Sequence, residues 1–136
     1  MIEELNSLIK SDIYRHYADH KRPILWKLHN VALYYQIIHR KAHYYSTHIS
    51  GISNRIKATW YRYKLNYLSR KYLIQIPYSV TFGKGLNIVH FGRIIIAPSV
   101  KIGDNCNLFT GVTIGSTVRG IRGGGTNYRG FSLDRA

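Results

Sequence analysis

From residue 74 to residue 114 a large apolar residue returns every six positions: Ile76, Phe82, Ile88, then Ile96, Ile102, Leu108 and Ile114. Two positions before each stands a second apolar residue: Ile74, Val80, Leu86, Ile94, Val100, Cys106 and Val112. Neither a helix, at 3.6 residues per turn, nor a plain strand, at two, has a period of six. Apolar residues two apart suit a short strand with one face inward. The small or turn-forming residue that often follows (Pro77, Gly83, Ala97, Gly103, Gly115) suits a corner. Strand plus corner, repeated, is the hexapeptide pattern of a parallel β-helix. The period slips once. Ile88 to Ile96 is eight residues, and the extra two fall within Val89-His90-Phe91-Gly92-Arg93. Loops leaving a rigid scaffold commonly carry function, which makes this interruption, with its His90-Phe91-Gly92, a candidate functional site. The plainer alternative is a tolerated corner insertion with an incidental histidine.

The first half of the chain has a different period. Residues 3 to 20 predict one or two short helices, with Ser11 or Asp12 as an N-cap before Ile13, and Lys21-Arg22-Pro23 breaks the pattern. From Ile24 to about Tyr45, apolar residues recur three or four apart at Leu28, Ala32, Tyr35, Ile38, Ala42 and Tyr45, as in an amphipathic helix. Residues 48 to 54 read as a loop. A further helix is predicted from about Arg55 to Tyr72, with Ile56, Trp60, Tyr63 and Tyr67 on one face. These helices are expected to pack on each other, on the repeat region, or on a partner. After Gly115 the repeat stops, and residues 116–130 hold five glycines. The layout is therefore α + β, with a basic, tyrosine-rich helical region (1–72), a hexapeptide-repeat core (73–115) and a Gly-rich irregular tail (116–136).

Residues 74 to 115, IQIPYSVTFGKGLNIVHFGRIIIAPSVKIGDNCNLFTGVTIG, resemble the core of the serine acetyltransferase-like family of hexapeptide-repeat acyltransferases, including the two-residue insert around the histidine. Asp12–Arg15 and Leu33–Tyr45 resemble segments of that family's helical N-terminal region. The resemblance implies a left-handed parallel β-helix and an acetyl-CoA-dependent O-acetyltransferase. It makes His90 the general base that takes the proton of an acceptor hydroxyl, a task suited to a neutral imidazole. It also implies a homotrimer, with acetyl-CoA as co-substrate extended along a groove between two subunits. Gly111, Thr113 and Gly115 are the candidates for lining that groove. Gln75 falls where the family has an aspartate that orients the histidine; an amide accepts a hydrogen bond but carries no charge. Val89 stands where the family has an aspartate for the serine amino group. The family's later Arg-His pair has no counterpart in the stretch 123–128. These departures move the expected acceptor from free serine towards a sugar hydroxyl of polysaccharide biosynthesis. Family members continue through further hexads, so a C-terminally truncated or frameshifted product is expected, with a catalytically dead remnant or scaffold as the alternative.

Charge adds a partner expectation. The formal net charge is +14, and residues 1–72 hold 13 Lys/Arg against 4 Asp/Glu together with ten of the twelve tyrosines. Basic plus aromatic composition fits nucleic acid, an anionic membrane surface or a solvated helical face. No nucleic-acid motif accompanies it, so a nucleic-acid partner is not expected. Peripheral contact with an anionic membrane surface, or a basic polyanion-binding module, remains as a further reading. No run of 18 apolar residues occurs, and the opening MIEELNSLIK lacks a signal-peptide layout; a cytoplasmic protein is expected. Cys106 is the single cysteine, at an inward repeat position, and reads as a structural thiol. His16, His20, His29, His39, His43 and His48 read as packing residues. His39 and His43, one turn apart, supply only two ligands, so no metal is expected.

Overall fold

A computed structural model describes residues 2–18, 24–115 and 132–133, the side chains of residues 26, 28, 132 and 133 excepted. His20, the Lys21-Arg22-Pro23 break and most of the Gly-rich tail lie outside the described residues.

Every inward position of the repeat from Ile74 to Ile102 is buried. Leu108 is buried too, while Cys106, Val112 and Ile114 are partly buried against the same core. At roughly 1.5–3 kcal/mol for each fully buried large aliphatic, this interior outweighs any local strand propensity. The strands are short: β1 Ile74–Gln75, β2 Thr81–Phe82, β3 Asn87–Ile88, β4 Ile94–Ile96, β5 Lys101–Ile102, β6 Asn107–Leu108, β7 Thr113–Ile114 and β8 Ser132–Leu133. They form three small parallel sheets, β1-β4-β7, β2-β5-β8 and β3-β6. The chain visits these sheets in a fixed rotation. Register carries the signature of the insert: Ile74 pairs with Ile94, Thr81 with Lys101 and Asn87 with Asn107, whereas Ile95 pairs with Thr113. The first three spacings span the insert and are two residues longer than the fourth, which is three clean hexads. One further strand joins the stack beyond the hexads: β8 pairs with β5, the next place in the rotation.

The helices are α1 Ile2–Tyr17, α2 Trp26–His29, α3 Val31–Thr47 and α4 Gly51–Tyr72. Ser11 and Asp12 are interior to α1 and cap nothing; the Ser11 hydroxyl donates back to the Leu8 carbonyl at 2.7 Å. Asn30 caps α3 instead, its side chain accepting from the Leu33 N–H at 2.9 Å. The predicted loop at 48–54 is shorter than expected, since α4 begins at Gly51. The α4 helix ends at Leu73 in the left-handed region (φ 55°), which turns the chain into β1.

The α3 helix explains how β1, β2 and β3 tolerate their open edges. β1, β2 and β3 each lie at the edge of their sheet, where unpaired backbone groups invite association with other chains. A buried polar face of α3 answers them. The Tyr35 hydroxyl lies 3.3 and 3.4 Å from the Ile74 and Ile76 carbonyl oxygens. His39 and His43 donate to the carbonyls of Pro77 and Tyr78. Gln36 donates to the Leu86 carbonyl and accepts from the Ile88 N–H. Arg40 donates to Phe82 and Gly83 at 2.6 Å each and makes a two-pronged pair with Asp12 of α1, both contacts 3.0 Å. Asp12 also accepts from the Leu86 N–H, and Ser11 from the Gly85 N–H. Each such group would cost about 1–3 kcal/mol if buried without a partner. The helices thus cover one open edge of the stacked strands with polar partners.

Candidate active site

The insert occupies the corner between β3 and β4 and is fixed from both sides. The Val89 N–H donates to the Leu108 carbonyl at 2.9 Å, and the Ile94 N–H to the Leu73 carbonyl at 3.2 Å. The Gly92 carbonyl accepts from the Thr110 hydroxyl at 2.7 Å and from the Gly111 N–H at 3.3 Å. Gly92 and Arg93 both take positive φ (109° and 51°), so the turn is made by two consecutive left-handed residues. Phe91 meets the Tyr72 ring edge to face at 5.4 Å, tying the insert to the end of α4. His90 stands exposed at the tip of this anchored loop, and its imidazole makes no hydrogen bond or ion pair among the described residues.

Two hollows flank the insert. The first, about 410 Å³, is lined by His90 with His16, His29, Asn30, Val89 and Phe91. Its floor is rigid: His16 Nε2–H donates to Gln36 Oε1 at 2.8 Å, and its Nδ1 accepts from the Asn30 amide at 3.1 Å. Burial pushes the His16 pKa down, against the Gln36 hydrogen bond and the Asp12 charge, which pull it up. The ring is thus held neutral in one tautomer.

The second hollow runs along the outer face of the β1-β4-β7 sheet. Gln75, Ile95 and Thr113 are stacked there by register, and all three are exposed. Gln75, Gly111, Thr113, Arg70 and Arg93 line a groove of about 720 Å³, and Ser69, Arg70, Gln75 and Ile95 continue into an adjoining one of about 670 Å³. Gly111 has positive φ (83°) and nothing within 4 Å of where a Cβ would stand. Gly115 is exposed beyond β7 and lines neither hollow.

The structure therefore brings Gln75, Gly111 and Thr113 together and sets His90 apart from them. Within one chain no Gln75–His90 hydrogen bond is made, and the two residues line different hollows. Arg70 and Arg93, which place two cations in the groove, were not singled out in the sequence. Arg93 closes the insert, and that position was the available signal. Cys106 is half-buried, and burial pushes its thiol pKa up, opposed by Arg15; this keeps it from acting as a thiolate nucleophile. Among the described residues no group of three His, Cys, Asp or Glu is placed to hold a metal ion, and no helix is long and apolar enough to cross a membrane. Compared with protein-family models, curated proteins and solved structures, the chain matches none.

Proposed function

We propose that the chain is an acetyl-CoA-dependent O-acetyltransferase of the serine acetyltransferase-like group, built on a left-handed parallel β-helix and acting in the cytoplasm. The observation that carries this reading is the single slip in the repeat, which presents an unpartnered imidazole on a loop anchored at both ends. A base awaiting substrate needs that combination of a free nitrogen and a fixed backbone. His90 takes the proton of an acceptor hydroxyl as its oxygen attacks the thioester carbonyl. The tetrahedral oxyanion then collapses, the C–S bond breaks, and the imidazolium returns the proton to the CoA thiolate. The products are an O-acetyl ester and free CoA.

The groove on the β1-β4-β7 sheet suits the other substrate. It is long and open, and Arg70 and Arg93 suit the phosphates of CoA, for which guanidinium is a good partner. Because His90 and this groove are separate within one chain, a site containing both requires a second copy to bring its groove against the first chain's histidine. A homotrimer meets that need. With Val89 beside the base and Gln75 in the groove, neither offers a charge for an amino acid's ammonium group, which favours a sugar hydroxyl as acceptor over serine.

The test is release of CoA thiol from acetyl-CoA with a panel of saccharide and amino-acid acceptors. His90→Ala is expected to lower the rate by roughly 10²–10⁴-fold while leaving thermal stability unchanged, since His90 is exposed and unbonded. Turnover that survives His90→Ala intact would remove the histidine from the chemistry. Thiol release from no acceptor at all, by a chain that assembles normally, would instead favour the scaffold reading.

A further inference from the structure

We propose that the outer face of α4 is a docking surface for an anionic phospholipid bilayer. Ile52, Ile56, Trp60, Tyr63 and Tyr67 are each between 57% and 77% exposed. Their three- and four-residue spacing sets them in one stripe along the helix. The opposite face is already used: Ala58, Leu65 and Leu68 are buried, the two leucines in the same core as α3 and the strands. The helix is thus apolar on two sides, and only one side is covered among the described residues.

The polar residues frame the uncovered stripe. At 100° per residue, Lys57, Lys64 and Lys71 run along one flank of the stripe, and Arg55 and Arg62 along the other. With Arg70 this makes six cations, and the 22 residues of α4 contain no acid. Four of the cations sit over rings, Arg62 over Tyr78 at 4.6 Å, Lys64 over Tyr34 at 5.3 Å, Lys71 over Tyr72 at 5.3 Å and Lys57 over Tyr45 at 5.4 Å. These contacts hold the charges alongside the stripe. An apolar band containing tryptophan and tyrosine, flanked by cations on long stems, is the layout of a helix lying in the plane of a membrane. Its apolar side enters the acyl boundary, the aromatic rings sit at headgroup depth, and lysine and arginine reach lipid phosphates.

Charge selects this occupant over a second copy of the chain. The whole sequence holds 6 Asp/Glu against 20 Lys/Arg, and Asp12 is buried in its pair with Arg40. Two α4 helices placed face to face would oppose cation to cation with no acid between them. An anionic bilayer offers apolar depth and negative charge together. The proposal is independent of acyl transfer, and its failure leaves the reading of His90 untouched.

The experiment is flotation of the full chain with phosphatidylcholine vesicles, with and without about 30% phosphatidylserine. The chain is expected to float with the anionic vesicles only, with binding that weakens as salt rises. In a Trp26→Phe background the emission of Trp60 should shift to the blue on binding. Replacing Arg55, Lys57, Arg62 and Lys64 by glutamine should weaken binding by about fivefold per cation removed. The pair Trp60→Ser and Tyr63→Ser keeps every charge and alters only exposed side chains; it should weaken binding by about tenfold or more. Native-like binding by the serine pair would overturn the proposal. So would equal retention on heparin or RNA without a Trp60 shift, which would mark a polyelectrolyte site. Indifference to vesicles, combined with a smaller sedimenting mass for the serine pair, would assign the stripe to a second copy.

Discussion

Replacing Arg40 by methionine keeps most of the buried stem and removes the guanidinium from the place where α1, α3 and the first coil meet. Four contacts go at once: two to the Asp12 carboxylate and one each to the Phe82 and Gly83 carbonyls. Asp12, fully buried, is left with the single hydrogen bond from the Leu86 N–H. Breaking a buried ion pair by removing one partner costs about 3–5 kcal/mol, and the two orphaned carbonyls add to this less than additively. A domain of this size is stable by only about 5–15 kcal/mol in total. Arg40→Met should therefore lose about a fifth or more of the folding free energy. Urea unfolding followed by far-ultraviolet circular dichroism and tryptophan fluorescence measures it, and an unchanged m-value would show that stability rather than compactness has altered. Asp12→Asn keeps an acceptor for Leu86 without the charge. Combined with Arg40→Met it should cost at least about 1 kcal/mol less than the two single changes added together, because the residues share one network. A cost below about 1 kcal/mol for Arg40→Met, or strict additivity in the cycle, would refute the account of the cap as a connected charge network.

Two other perturbations follow from the same packing. The His39 ring is buried with its Nε2–H on the Pro77 carbonyl, and burial lowers its pKa to about 4 from 6.5. Below pH 6.5 the unfolded chain binds a proton that the folded ring refuses, so stability is complete above that pH and falls towards pH 4, by up to about 3 kcal/mol. His39→Gln retains a donor for Pro77, and its urea midpoint should be flatter across this window; Asp12, raised by burial, titrates in both chains and drops out of the difference. Parallel pH profiles for the two chains would be the contrary result. At Gly83 a Cβ would stand 2.6 Å from the Asp104 backbone nitrogen and the Gly103 carbonyl carbon, where two corners stack. Gly83→Ala should cost about 1–3 kcal/mol by overpacking, whereas Gly115→Ala, with nothing within 4 Å, should fall within about 0.5 kcal/mol of the parent. Melting curves that cannot tell these two variants apart would contradict the stacking of the corners.

The inward series was legible because its period of six is shared by no other local structure, and burial of Ile74 to Ile102 follows it position by position. The polar face of α3 was not legible. Tyr35 fell on the apolar spacing and His39 and His43 read as packing residues, but nothing set Gln36 and Arg40 apart from an ordinary solvated face, and only the strand edge opposite makes them interior. The stripe of α4 misled for a related reason. Ile56, Trp60, Tyr63 and Tyr67 were correctly placed on one face, but periodicity cannot tell which of two apolar faces the fold covers; Ala58, Leu65 and Leu68 lie on the covered one. In the candidate site His90 was marked by the slip in the repeat. The separation of His90 from Gln75 was hidden, since it depends on which sheet each strand joins.

The pairing of Asp12 with Arg40 and with Leu86 also fixes an order of events during synthesis. Asp12 precedes its salt-bridge partner by 28 residues and its strand partner by 74. As the chain leaves the ribosome, α1 must wait with its charge in water until α3 and then the first three strands have emerged. The base is then the last part of the early chain to close, and once closed it offers a single growing end. Each later strand pairs with the strand beneath it in its own sheet. Strands can thus be gained or lost at the far edge over evolutionary time while the helical base stays the same.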